Sequence, residues 1–327
     1  MLKSSFLRQR ETALAGIVVL LVFLVGLRAP IFLTTASLRD VFSDTSLLVI
    51  LALGEMLVIL NRGIDLSVAS NLALTGMLTA MLSVSAPWVP GIVHLLLAAL
   101  MGLALGAFNG LLVWRVGIPS IVVTLGTLSI YRGVIFPLRG GAWVNSNEMS
   151  AGFLGFPRLT FLGLDVFSWF ALLVAVVLWF VLAHTRFGRQ FYAAGGNPRA
   201  AVYTGIDPGR ELFRAFCVSG TLAGLCGYLW VSRYAVAYVD TALGFELQVI
   251  AACVIGGISI AGGIGTVVGC VLGALFLGVV KNALPTVGIS PFWQMGISGV
   301  VIVIAVILNA RGERRAGRRI LRPAAAG

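Results

Sequence analysis

Residues 184–207 read HTRFGRQFYAAGGNPRAAVYTGID, a polar, arginine-bearing island with two adjacent glycines. What surrounds it is almost continuous hydrocarbon: 59% of the 327 residues are hydrophobic and only 11% are charged. A soluble domain averages about 45–50% apolar and about 25% charged residues. No globular core hides that much apolar surface, so the bilayer has to act as part of the solvent. The island is then a loop that a membrane protein keeps on one side, and its basic character indicates something held there.

At roughly 20 residues per spanning helix, a chain of this length holds about ten spans. Apolar runs place them at 13–32, 46–60, 67–86, 91–114, 119–137, 161–183, 211–231, 246–262, 265–284 and 292–309. The fold class that follows is an all-α polytopic membrane protein with both termini on one side. Sixteen of the 23 basic residues fall in the tails and loops on that side, which the positive-inside bias makes cytoplasmic. The net charge of +11 is therefore a topological signal and not a nucleic-acid footprint. The chain divides into a cytoplasmic tail (1–12), a transmembrane domain (13–309) and a basic cytoplasmic tail (310–327). Its long loops are 138–160 outside and 184–210 inside. Lys3, Arg8 and Arg10 precede the apolar run Ala13–Leu27, but no small-x-small cleavage pattern follows, so the run reads as an uncleaved first helix.

Most site chemistries are excluded by what the sequence lacks. A P-loop needs a lysine directly after glycine, and neither Lys3 nor Lys281 follows one. No nucleophile elbow, zinc-protease helix or paired-carboxylate pattern is present. Cys217, Cys226, Cys253 and Cys270 lie in apolar runs without a CxxC pair and read as small buried residues. The histidines His94 and His184 are spaced too far apart to suggest a zinc site, so no metal ligands are assigned. Glu55 is the only acid clearly inside a predicted span, thin support for an ion-coupled carrier. Gly102, Gly106 and Gly110 form a small-residue stripe, as do Gly265, Gly269 and Gly273, and Gly220 with Gly224; in lipid such stripes let backbones approach.

Candidate polar residues remain. Asn61, Asn71, Asn109, Gln248 and Asn282 can line a hydrophilic path or equally hydrogen-bond between helices. Asp65 precedes a new apolar run and reads first as an N-cap, with a gating or substrate role as the weaker reading. Gly195, Gly196 and Asn197 tolerate left-handed backbone and Pro198 blocks continuation, so a sharp turn is predicted before a short surface helix opened by Arg199, Ala200 and Ala201. The outer loop mixes glycines, Trp143 and the run Asn145–Glu148, and reads as ordered, with a short interfacial helix.

Five segments in order resemble one family, the inner-membrane permease subunits of ribose-type sugar ABC importers. They are NRGIDLSVAS (61–70), FNGLLVWRVGIPSIVVTLGTLSIYRG (108–133), TRFGRQFYAAGGNPRAAVYTGI (185–206), SGTLAGLCGYL (219–229) and AACVIGGISIAGGIGTVVGCVLGA (251–274). Within the family the chain is most similar to the rhamnose and autoinducer-2 branch, through LGEMLVILNRGIDLSVASNLALTG (53–76), TLGTLSIYRG (124–133) and GGAWVNS (140–146). It departs from the ribose-type pattern at Asn61–Asp65 and at Ala69, which makes ribose itself a poorer fit.

The resemblance implies a non-enzymatic subunit that binds no cofactor itself, with ATP and magnesium held by a separate ATPase. It implies a second permease subunit, identical or a sister chain, two cytoplasmic ATP-binding subunits and a periplasmic sugar-binding protein, in the bacterial inner membrane. Rhamnose is the favoured cargo, with autoinducer-2 or ribose and xylose as alternatives, and an ion-coupled secondary transporter as the alternative mechanism. It assigns ATPase coupling to Arg189, Gly195, Gly196, Asn197, Arg199, Ala200, Ala201, Gly205 and Ile206. Docking of the binding protein is expected at Trp143, Asn145, Asn147 and Glu148.

Overall fold

The structure, a computed structural model, describes residues 2–290 together with 293, 296, 299, 300 and 303, and side chains from residue 10 onward. The tenth apolar run, at 292–309, and the tail at 310–327 lie almost wholly outside the described residues.

Twelve α-helices are described: α1 (Leu2–Arg28), α2 (Thr35–Leu60), α3 (Val68–Ser85), α4 (Gly91–Leu111), α5 (Ser120–Arg139), α6 (Ala151–Gly155), α7 (Val166–His184), α8 (Arg186–Gly196), α9 (Pro198–Tyr203), α10 (Pro208–Tyr234), α11 (Phe245–Ile255) and α12 (Val267–Thr286). Eight of these segments are long and apolar enough to cross a membrane, α4 running on through a π-helical turn at Leu112–Val116. The protein is thus a multi-pass all-α membrane protein.

Three boundaries depart from the sequence pattern for identifiable reasons. The first run stops at Arg28 instead of residue 32, because Pro30 opens a 3₁₀ turn, Pro30–Leu33. The second helix starts at Thr35, not 46; Thr34 caps it by accepting from the Ser37 amide at 3.3 Å, and Arg39, Asp40 and Asp44 in its first turns mask it from an apolar count. The run 246–262 yields only the 11-residue α11. A helix that short rises about 16 Å. It breaks where Gly257, Gly262 and Gly263 take positive φ (93°, 84° and 71°).

Helix α2 is buried on nearly every side and forms the centre, while α1 is a mostly exposed rim helix. Helices α4 and α10 cross at the glycine stripe. A Cβ at Gly102 would strike the Gly220 carbonyl and the Gly224 backbone, and one at Gly106 would strike the Phe216 carbonyl. Gly269 and Gly273 do the same for α12 against α11, where they face Gly256 and Ala252. Gly265, placed in that stripe by spacing, instead sits in the loop before α12 with φ 157°. Cys226, Cys253 and Cys270 are buried and free; the Cys253 thiol donates to the Ala52 carbonyl at 3.2 Å and lies 3.9 Å from the Cys270 sulfur.

The loops join the helices on two opposite faces. One face carries the turn at 61–67, α8, α9 and the glycine loop at 256–266. The other carries the 140–165 loop, where β1 (Val144–Asn145) pairs antiparallel with β4 (Val236–Ala237) and β2 (Thr160–Phe161) with β3 (Leu164–Asp165). Leu162 and Gly163, both at positive φ, make the two-residue β2–β3 turn.

Candidate coupling face and polar core

On the basic face, Thr185 opens α8 by accepting from the Gly188 amide at 3.3 Å. The helix is amphipathic: Gly188, Phe191, Ala194 and Gly195 are buried, while Arg186, Phe187 and Arg189 are exposed. Tyr192 donates its hydroxyl to the Gly265 carbonyl at 2.8 Å, and burial pushes its phenol up to about 12.

The expected left-handed turn at Gly195–Gly196 is not formed. Helix α8 continues through Gly196, and the chain turns at Asn197, which is extended at φ −146°. Asn197 then caps α9 by accepting from the Ala200 amide at 3.1 Å, with Pro198 at its first turn. The glycines serve packing instead. A Cβ on Gly195 would land on the Leu60 carbonyl, and the Gly196 backbone lies against Gly263, although Gly196 itself faces open space. Leu60 also accepts from the Gly263 amide at 2.9 Å, so the end of α2, the end of α8 and the glycine loop meet at one point.

Arg199 and Ala200 are exposed and Ala201 is buried, as a short surface helix requires. Gly205, at φ 79°, ends α9, and Ile206 is half-buried behind it. Asp207 caps α10 by accepting from the Gly209 and Arg210 amides, and takes the Trp114 indole N–H at 3.0 Å. Val202 and Tyr203 are left 60% and 92% exposed on a non-spanning helix, an apolar surface with no covering element among the described residues.

Arg62 enters the sequence reading as a cytoplasmic charge and as part of the 61–65 departure from the ribose-type pattern, with no contact assigned to it. Its Nε donates to the Gly195 carbonyl at 2.6 Å and its Nη2 to the Gly196 carbonyl at 3.0 Å. Those carbonyls belong to the last turn of α8, where helices leave acceptors unsatisfied and favour a cation.

Behind Arg62 the chain dives into a buried polar network. Asp65 does not cap α3 directly; Ser67 holds the cap position, and the Asp65 carboxylate accepts from the Ser67 amide at 2.9 Å and its hydroxyl at 2.6 Å. The Asp65 amide in turn donates to Glu55 at 3.0 Å. The Asn109 amide donates to the Ser67 hydroxyl at 2.8 Å, and Tyr131 donates to Asn109 at 3.2 Å. Ser120 accepts from the Ile64 amide at 3.2 Å, and Thr124 donates to the Ile64 carbonyl at 3.2 Å. Of the path candidates, Asp65 and Asn109 are therefore brought together. Asn71 lies one helical turn further on, reaching the Gly102 and Gly220 carbonyls at 3.4 and 3.5 Å. Asn61 bonds back to Leu57 in its own helix, and Asn282 to Gly278 in its own. Gln248 sits half-buried on α11, away from this network.

On the opposite face, Trp143 stacks on Tyr238 with ring centres 4.9 Å apart, Asn145 lies in β1, and Asn147 is exposed. Glu148 accepts from the Asn145 amide and from Arg139, both at 2.9 Å, and these bonds hold its carboxyl below the usual range. Beside this loop Asp44, Arg158, Thr160, Asp165, Phe167, Arg233 and Tyr234 line a cavity of about 450 Å³. Arg233 bridges there to Asp44, Ser43 and Asp165.

Apolar helices packed around an enclosed α2, with a buried polar network beside its end and an exposed short helix on the basic face, are the features of a polytopic membrane protein. The chain belongs to the family described as branched-chain amino acid transport system, permease component, which it matches over residues 37–306. It is 37% identical over 311 residues to the autoinducer 2 import system permease protein of Salmonella typhi, covering 95% of this chain and 88% of that one. It is 37% identical over 278 residues to the D-allose transport system permease protein of Escherichia coli K12, covering 85% and 84% respectively. No solved structure matches the chain closely enough to count as a relative. The chain is accordingly a permease component of the ABC sugar-import class.

Proposed function

We propose that this chain forms the membrane pathway of an ABC importer in the bacterial inner membrane. A periplasmic binding protein delivers the cargo, two separate ATPase subunits drive transport, and a second permease, identical or a sister chain, completes the pore. Nucleotide and magnesium belong to the ATPase. Both termini and the α8–α9 face are cytoplasmic. The observation that carries this reading is the α8–α9 segment: Gly195 fits it to the end of α2, and Val202 and Tyr203 stand uncovered beside the basic residues Arg186, Arg189 and Arg199. Exposed apolar side chains rimmed by charge on a membrane-surface helix suit a protein partner.

The cargo is a monosaccharide-sized polyol. The two relatives carry different cargoes in their names at the same 37% identity, so identity does not choose between them. Rhamnose remains the cargo favoured by sequence resemblance, and autoinducer 2 gains support from the first relative.

The test is uptake into proteoliposomes holding this chain with the ATPase and binding protein encoded beside it. Uptake requires ATP on the ATPase side and loaded binding protein, and survives a protonophore. Collapse on protonophore addition with ATP still present would instead establish an ion-coupled carrier. Competition among rhamnose, autoinducer 2, D-allose, ribose and xylose then identifies the cargo.

A further inference from the structure

We infer that Arg62 is the positioning residue that ties the coupling segment to the interior of the permease, and that the 61–67 turn carries displacement from α8 to α4 and α5. This rests on the reading of α8–α9 as the ATPase-coupling segment.

The local geometry of Arg62 breaks a rule. Helix α2 ends in a Schellman arrangement: the Gly63 amide donates to the Val58 carbonyl and the Arg62 amide to the Ile59 carbonyl, each at 2.9 Å. The residue in the left-handed position of that motif is usually glycine. Here it is Arg62, at φ 65°. Strained backbone persists only where its surroundings over-determine it, and it concentrates at functional positions. What surrounds Arg62 is its two-pronged bond to the Gly195 and Gly196 carbonyls and the packing of its stem against Gly262, where a Cβ would come within 2.5 Å of the Arg62 Cγ. A glycine would close the helix more easily but would leave α8 without this tether.

The turn that follows has few contacts with solvent and many with helices. Ile64 bonds Ser120 and Thr124 of α5, Asp65 bonds Glu55 of α2, and Ser67 bonds Asn109 of α4, which Tyr131 of α5 also reaches. Gly63 is packed against Leu212 of α10. A shift of the α8 end therefore pulls, through one guanidinium, on a seven-residue segment bonded to α4 and α5. Helix α10, which also packs against α8, reaches the segment through Ser219, whose hydroxyl donates to Asp65 at 3.5 Å.

The experiment compares Arg62→Gly and Arg62→Met in the complete reconstituted importer. Arg62→Gly relieves the backbone and removes the donors; Arg62→Met keeps the stem and backbone and removes only the donors. Both are expected to insert, to retain the ATPase on purification and to hydrolyse ATP. Cargo moved per ATP should fall about tenfold or more, the scale of a lost charge-assisted hydrogen bond, with the order of competing sugars unchanged. A merely structural cap predicts the reverse, with Arg62→Gly equal to or better than the parent. Parental transport per ATP in either assembled variant overturns the inference. Gly195→Val serves as the reference. If it abolishes coupling while the Arg62 variants are neutral, only the role of Arg62 falls. If it assembles and transports normally, the reading of α8–α9 falls with it.

Discussion

Two neighbouring glycines end α8, and they differ completely in what a side chain would meet there: Gly195 abuts the Leu60 carbonyl, whereas Gly196 looks into open space. Gly195→Val therefore has to push α8 off the end of α2. Overpacking of this kind costs about 1–3 kcal/mol, enough to weaken a modest subunit contact roughly tenfold or more. The expected outcome is normal insertion with loss of the co-purifying ATPase and of uptake. Gly196→Ala should be neutral or slightly stabilising, since alanine is the better helix former by about 1 kcal/mol. Equal damage from both would show that backbone freedom, not packing, is what the pair supplies. The sequence draws attention to this dipeptide but assigns its work to a left-handed turn, because a glycine's contact partner lies on a distant segment and leaves no local trace. Arg62 was hidden for the same reason: its partners are 133 and 134 residues away.

Among the elements, those with a plain apolar period were the most legible. Helices α3 and α5 fall within a residue or two of their predicted bounds, and the glycine stripe at 102, 106 and 110 meets α10 as its spacing suggests. Helix α2 was underestimated because its first turns carry Arg39, Asp40 and Asp44, the last paired with Arg233, and α11 was overestimated because apolar loop residues around glycine look like helix to a hydropathy count. The outer loop is ordered, as its aromatics indicated, and contains the short helix α6. Its docking candidates are partly engaged with one another, however. Glu148 closes a turn on Asn145 and Arg139. Because the folded loop favours the carboxylate, that closure is fully present above the ordinary glutamate range, near about 4.3, and is lost as pH falls through the lower folded value. Hydrogen-exchange protection of the 140–150 backbone, measured relative to the intrinsic exchange rate at each pH, should therefore fall in acid, and Glu148→Gln should show low protection already at neutral pH. An unchanged profile in Glu148→Gln would mean that the β1–β4 pairing alone orders the loop. Charge reversal at Glu148 consequently disturbs the loop's own shape as well as any partner surface.

For the whole molecule, the division into a short leading tail, a spanning domain from 13 to 309 and a basic trailing tail predicts ten crossings, of which α11 with its glycine loop makes one. In a background without the four native cysteines, a single cysteine at position 147 should react with an impermeant maleimide added outside, and one at position 197 only after the inner face is opened. Labelling of 197 from outside would invert the orientation. Substitutions that remove Cys253 and Cys270 should be to alanine, since both lie in the close α11–α12 contact.

Helix α2 is gripped near its start by Arg233, through Asp44 and Ser43, and at its end by the junction with Gly263 and Gly195. A rod clamped at both ends and wrapped along its length behaves as an axle. It cannot tilt without disturbing the contacts at both of its ends together. A helix apolar enough to cross a membrane is thus enclosed over most of its length by the rest of the protein.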